Sequence, residues 1–180
     1  MAQTYQQMLT QAISKGVVAD AQTWFDTTYK DLSSQSTINV INKGDDRLTG
    51  TLTIGKMYLF HYDPKHKDTL PLYDRFPLIF PFERAENGFL GINFHYLPPG
   101  QRALLLDNLM SLASDRTFTD QMKINLNYRL LVKVSRLSIA KNCIKRYLNS
   151  HVRSRFFYIR PDEWQKALML PLDQFVYKKK

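Results

Sequence analysis

One cysteine, Cys143, is all that the 180 residues contain. An intrachain disulfide framework is therefore excluded, and the chain suits a reducing compartment better than a secreted scaffold. No stretch of 18 apolar residues occurs, so no membrane-spanning helix and no membrane partner are expected. The opening MAQTYQQMLTQ has neither a basic flank nor an apolar stretch, and no signal peptide is expected from it. Also missing are a Gly-rich phosphate loop, a nucleophile elbow, a Ser/His/Asp order and any repeat at solenoid periods. Nothing in this pattern asks for catalysis or for a cofactor.

Acidic residues run short in one place. Residues 1–122 carry 11 basic and 13 acidic side chains, a balance of −2, whereas residues 123–180 carry 14 basic and 3 acidic, a balance of +11. The whole net charge of +9 thus sits in the last third. Such asymmetry is the electrostatic footprint of a polyanion partner, most often nucleic acid. The plainer reading is a solvated basic face.

What is present in quantity is aromatic and β-favouring sequence between Lys56 and Pro99. Three short apolar runs, Met57–Tyr62, Phe76–Phe82 and Phe89–Tyr96, are separated by turn chemistry at Asp63-Pro64 and Glu86-Asn87-Gly88. Prolines at 71, 77, 81, 98 and 99 donate nothing to a ladder and belong at edges, bulges or strand ends. The expected class is α+β: a small bent antiparallel β meander or SH3-like barrel flanked by helices, with an N-terminal helical arm. Residues 1–32 form that arm, 33–54 a polar linker with a short strand at Ile38–Ile41, and 55–180 the β core with packed C-terminal helices. Gly100–Ser114 is expected as a helix with Leu104, Leu105, Asn108, Leu109 and Leu112 on one face. Lys123–Leu137 reads as a short strand leading into a helix, and Ser138–Val152 as a helix. Arg155–Ile159 reads as a strand, and Pro161 as the first residue of a last helix reaching Met169.

The strongest functional lead is a basic set, Lys141, Lys145, Arg146, Arg153 and Arg155. On a helix Lys141 and Lys145 share a face with Arg146 beside them, and two arginines spaced by two on a strand share a side. Several cations on one frame meet the needs of phosphate recognition. Tyr147, Phe156, Phe157 and Tyr158 lie close in sequence, either as stacking platforms for bases or, the favoured assignment, as core. His61, His66, His95 and His151 lack ligand spacing, and with one cysteine no metal site is expected; structural histidines fit better. Asp45 or Asp46 with Asp63 and Lys65 only loosely imitates a nuclease centre.

The phrases MYLFHYDPKHKDTLPLYDRFPLIFPFE, GFLGINFHYLPP and IKRYLNSHVRSRFFYIRPDEWQKALMLP resemble a family of small virion proteins of large contractile-tailed phages. These are the DNA end protectors of T-even-type phages and their marine relatives, and the resemblance spans about residues 55–175. It implies a non-enzymatic virion protein at the genome end or head–tail connection, shielding the packaged terminus from host exonuclease. Its partners would be phage DNA and other virion proteins such as portal, neck or tail components. It would sit in several copies on a symmetric ring, in the virion and, during assembly, in the host cytoplasm. By this analogy Ile144–Ile159 contacts DNA. The alternative is a structural adaptor of neck, tail or baseplate whose basic face meets an acidic protein ring.

Overall fold

The computed structural model describes residues 47–164 and 176–178, with Thr4, residues 6–8, Thr10 and Thr23. Most of the expected arm and linker, the strand at Ile38–Ile41 and the last helix beyond Trp164 lie outside the described residues. The strands are β1 (Leu48–Thr49), β2 (Met57–Leu59), β3 (Leu72–Asp74), β4 (Leu78–Ala85), β5 (Gly88–Asn93), β6 (Ile144–Leu148), β7 (Phe156–Ile159) and β8 (Val176–Lys178). The long helices are α1 (Pro99–Ser114) and α2 (Asp120–Ser135). Six strands make one antiparallel sheet in the order β1-β7-β2-β4-β5-β6, and β3 pairs with β8. The class is α+β, as the residue pattern predicts.

Turn chemistry sets the sheet's shape. Asn87 takes a left-handed φ of 57° between β4 and β5, a conformation Asn accepts. A Cβ at the following Gly88 would collide with the carbonyl oxygen of Tyr147, so the close approach of β5 to β6 requires glycine there. Pro81 sits in the middle of β4, where the register shifts before Glu83; the bulge tolerates a residue without an N–H. Beyond β2 the chain reaches across to the segment that follows β6. Asp63 N donates to His151 O at 2.9 Å, Arg153 N donates to His61 O at 2.9 Å, and Tyr62 bridges Val152. The sheet is therefore rolled until its β6 end meets the extension of β2.

The rolled sheet has two differently filled sides. One packs Met57, Leu59, Leu78, Phe80, Ile92 and Ile159 against Leu105, Leu106, Leu109 and Leu131 of the helices. The other gathers Tyr58, Phe60, Tyr62, Phe89, Tyr147 and Phe156 around Ile79. Burying each such side chain contributes about 1.5–3 kcal/mol before ordering costs. At the N-terminus, Gln6 N donates to Asp107 Oδ2 of α1 at 3.3 Å and Met8 packs on the first cluster.

The helices start where local chemistry allows. Pro98 stops the preceding chain, and Pro99, which lacks a donor, occupies the first turn of α1. Thr119 caps α2 by accepting from Met122 N at 3.3 Å, and Asp120 lies favourably in its first turn. Three expectations need correction. The buried face of α1 is Arg102, Ala103, Leu105, Leu106 and Leu109, while Leu104 is 49% exposed and Asn108 is exposed. The Arg102 guanidinium reaches back to Leu97 O at 2.6 Å; burial lowers its pKa to about 10, which leaves it charged at neutral pH.

The second correction concerns residues 123–137, which do not begin as a strand. The Thr119 cap starts one unbroken helix, in which Leu131 is buried and Tyr128 is turned outward. The third concerns Ser138–Val152, which is not a helix. It consists of a 3-10 turn (Ser138–Cys143), strand β6 and a second 3-10 turn (Asn149–His151). Cross-strand partners decide this: Tyr147 stands against Phe89 and Ile144 against Ile92, and tertiary pairing overrides the helical spacing. By contrast β7 forms as expected, and Pro161 opens a 3-10 turn in which Arg160 N donates to Glu163 Oε2 at 3.2 Å. Leu48 and Thr49, inside the expected linker, join the sheet by pairing with Phe157 and Phe156.

Candidate nucleic-acid interface

The five predicted cations occupy three local settings. Lys141 is exposed in the 3-10 turn that precedes β6. Lys145 and Arg146 are neighbours on β6, so their side chains leave opposite sides of the strand rather than one side of a helix. Arg153 and Arg155 are exposed and lie between the second 3-10 turn and β7, outside any strand. The helical face that would have joined Lys141 to Lys145 and Arg146 therefore does not exist. What joins Lys145 to Arg146 instead is the position of β6 at the sheet edge, where both border one cavity.

Each cation has a distinct environment. The Lys145 ammonium stands 4.3 Å from the centroid of the Tyr96 ring, and partial burial lowers its pKa. Arg146 Nη2 donates to the backbone carbonyl of Glu86 at 2.8 Å. Arg153 donates to Ser150 O at 3.3 Å and approaches Asp63 Oδ2 at 3.5 Å. Asp63 also accepts from Lys67 Nζ at 2.8 Å, so this rim carries its own counter-charge. Among the described residues no carboxylate lies within ion-pair distance of Lys65, Lys145 or Arg146.

The cavity has a volume of about 480 Å³. Tyr62, Leu72, Tyr73, Tyr96 and Tyr147 supply much of its wall, and Lys65, His66, Lys145 and Arg146 add cationic or titratable groups. Asp74 and Asn93 also line the cavity and belong to a buried polar network. Asp74 Oδ1 accepts from Phe76 N at 2.9 Å; Asp74 Oδ2 accepts from Asn93 Nδ2 at 3.0 Å and lies 2.6 Å from His95 Nδ1. Asn93 Nδ2 also donates to the Tyr147 hydroxyl at 3.1 Å, and Asn93 Oδ1 accepts from His95 N at 2.8 Å. Burial raises the Tyr147 and Tyr96 phenols well above their ordinary range, so both remain neutral donors or acceptors. The backbone of Lys178, on β8, is in register with Leu72, a residue of the cavity's lining.

The aromatics near the cations are core residues: Tyr147, Phe156 and Phe157 are buried, with Tyr158 half-buried beside them. His95 serves the Asp74 network, His151 Nδ1 lies 2.8 Å from Asp63 O, and His61 stacks on Phe76 at 4.8 Å. No group of three or more His, Cys, Asp or Glu able to hold a metal lies among the described residues. Asp45 and Asp46 fall outside the described residues, and Asp63 is engaged with Lys67 and Arg153. Sequence reasoning missed Lys65, Tyr73, Asp74, Asn93 and Tyr96 as parts of one site, because strand pairing and not spacing assembles them.

A family model described as the phage T4 terminal DNA protecting protein matches residues 3–180. The match takes in the N-terminal segment as well as the region from residue 55 onward that carries the aromatic phrases. No curated protein and no solved structure matches the chain.

Proposed function

The chain belongs to the phage T4 terminal DNA protecting protein family, and from that premise we propose that it binds the ends of phage DNA as a non-enzymatic component of the virion. Contact with the duplex is made by the cations around β6 and the turn before β7, namely the half-buried Lys145 and the exposed Lys141, Arg146, Arg153 and Arg155. The observation that carries this reading is the balance of +11 in residues 123–180, with Lys145 and Arg146 at a sheet edge where neither has a carboxylate partner among the described residues. Phosphate binding by such a surface needs no base readout, which suits a protein that covers an end rather than a sequence. Its place is the terminus of the packaged genome or the head–tail connection, with virion proteins as further partners. Leu104, Met122, Tyr128, Leu137 and Ile139 are exposed on α1, α2 and the segment just after α2, and offer apolar surface for such partners.

The test compares linear with covalently closed DNA across a salt series. Five phosphate contacts give log affinity a slope of about −4.5 against log salt. Linear DNA is expected to bind more tightly than closed DNA of the same sequence and to resist exonuclease when bound. A slope near zero, or no binding at low salt, overturns the reading and leaves a protein-binding adaptor.

A further inference from the structure

The five proposed phosphate contacts make no use of the cavity itself, only of its edge. Its volume of about 480 Å³ falls in the range of small-molecule sites and far exceeds the space one water needs. The wall includes four tyrosines, with half-buried Tyr73 and Tyr96 among them. At the same cavity stand Lys65, Lys145 and Arg146, none with a carboxylate partner among the described residues. The contrast with the neighbouring rim is informative, since Asp63 there takes up both Lys67 and Arg153. Asp74 also lines the cavity, but its oxygens are taken up by Phe76 N, Asn93 and His95. Aromatic surface beside cations without a direct ion pair matches the two parts of a nucleotide, a π-face and a phosphate.

Two features distinguish the last nucleotide of a DNA end from those inside the duplex. A terminal phosphate monoester carries a charge of about −1.5 to −2 near neutral pH, whereas each backbone diester carries a single charge. The last nucleotide can also leave the stack while its chain continues on one side only. We propose that the cavity captures the terminal nucleotide of a DNA end that bears a phosphate monoester, with its base against the tyrosine wall and its phosphate between Lys65 and Lys145. This inference rests on the DNA-end reading above and gives that reading a site. Lys145 supplies the discrimination: its ammonium has lost part of its hydration, lies against the ring of Tyr96 and feels the Asp74 carboxylate only from beyond ion-pair distance, so an arriving dianion strengthens its interactions more than it would at an exposed lysine. A closed duplex offers neither the monoester nor a displaceable end.

The experiment uses the full chain and short duplexes of one sequence ending in 5′-phosphate, 3′-phosphate or hydroxyl groups, with a covalently closed dumbbell as reference. Binding is followed by fluorescence anisotropy at low salt. One of the two monoester ends is expected to bind on the order of tenfold more tightly than the hydroxyl end, and which one tells the polarity of capture. Lys145→Met and Lys65→Ala are each expected to bring that preference close to one, whatever they do to overall affinity. Lys65 is exposed on a loop, so its variant keeps the test valid even where Lys145→Met fails to fold. Deoxyadenosine monophosphate is expected to shift the ring resonances of Tyr73 and Tyr96. Equal binding of all linear ends, or monophosphate shifts confined to other residues, overturns the proposal and leaves the DNA reading standing. Failure to bind any duplex, linear or closed, removes both.

Discussion

On the side of the sheet covered by α1 and α2, Leu78, Phe80, Ile92, Leu106 and Leu131 have no exposed surface, and side chains from strands and helices fill the space between them. The opposite side is closed by rings: Phe60 alone packs edge-on against Tyr62, Phe89, Tyr147 and Phe156. That side also gives up volume to a cavity and buries the carboxylate of Asp74, whose partners come from three further points of the chain. Stability and recognition thus reside on different sides. Close packing of aliphatic groups holds the sheet to its helices, whereas a hydrogen-bonded polar network contributes less net stability but fixes the positions of the groups around an opening. Tyr147 belongs to both the ring cluster and the network, and its neighbour Lys145 is held at the cavity as a consequence.

Substitutions on the two sides test this division. Phe80, packed against Phe94 and Trp164, belongs to the filled side. Phe80→Ala is expected to cost about 3–5 kcal/mol, read as a lower denaturant midpoint with little change in slope, and to leave the affinity of the folded fraction for DNA ends intact. Asp74→Ala is expected to cost less, about 1–3 kcal/mol, because it removes one hydrogen-bond partner each from the Phe76 N–H, Asn93 and His95 without opening a large apolar void. Its distinctive effect is loss of preference for monoester ends, since β3 and Asn93 no longer hold the wall. Were Asp74→Ala as costly as Phe80→Ala and without effect on end preference, the polar side would be structural and the assignment of roles to the two faces would fail.

Local chemistry made part of this architecture legible. Asn87-Gly88 marked the β4–β5 hairpin, Pro81 marked an edge, a bulge or a strand end and lies at a bulge, Pro98-Pro99 marked the stop of the chain before α1, and the run Arg155–Ile159 marked β7. The segment around β6 was illegible for a physical reason. Ile139, Cys143, Ile144, Tyr147 and Leu148 satisfy a helical period, and only the distant strand β5, which stands Phe89 beside Tyr147, selects the extended form. The same long-range pairing decided the site. Concentration of charge in the last third pointed to Lys145 and Arg146, but their grouping followed the wrong period, and Lys65, Tyr73 and Tyr96 join them only when the sheet rolls. Arg102 shows the limit on α1, where a charged residue lies on the buried face because the carbonyl of Leu97 waits there.

The smallest expected effect is at the rim, where Asp63 sits between Lys67 and Arg153. The hydrogen bond from Lys67, aided by both nearby cations, holds the Asp63 carboxyl below its ordinary value of 3.8. A carboxylate whose folded pKa is depressed stabilises the fold above its unfolded value and loses that contribution as pH falls through the lower folded one. Asp63→Asn is therefore expected to lower stability slightly at neutral pH, by an amount kept small because solvent screens an exposed pair, and to converge with the parent chain as pH falls below 3.8, which flattens the acid limb of a thermal-unfolding series. DNA binding moves the other way. Removing the carboxylate releases Lys67 and Arg153 from an internal counter-charge, so affinity rises and the salt slope steepens by about 0.9 for each additional phosphate that these two cations neutralise. An unchanged slope would mean that this rim does not face the duplex, and it would confine DNA binding to the β6 edge and its cavity.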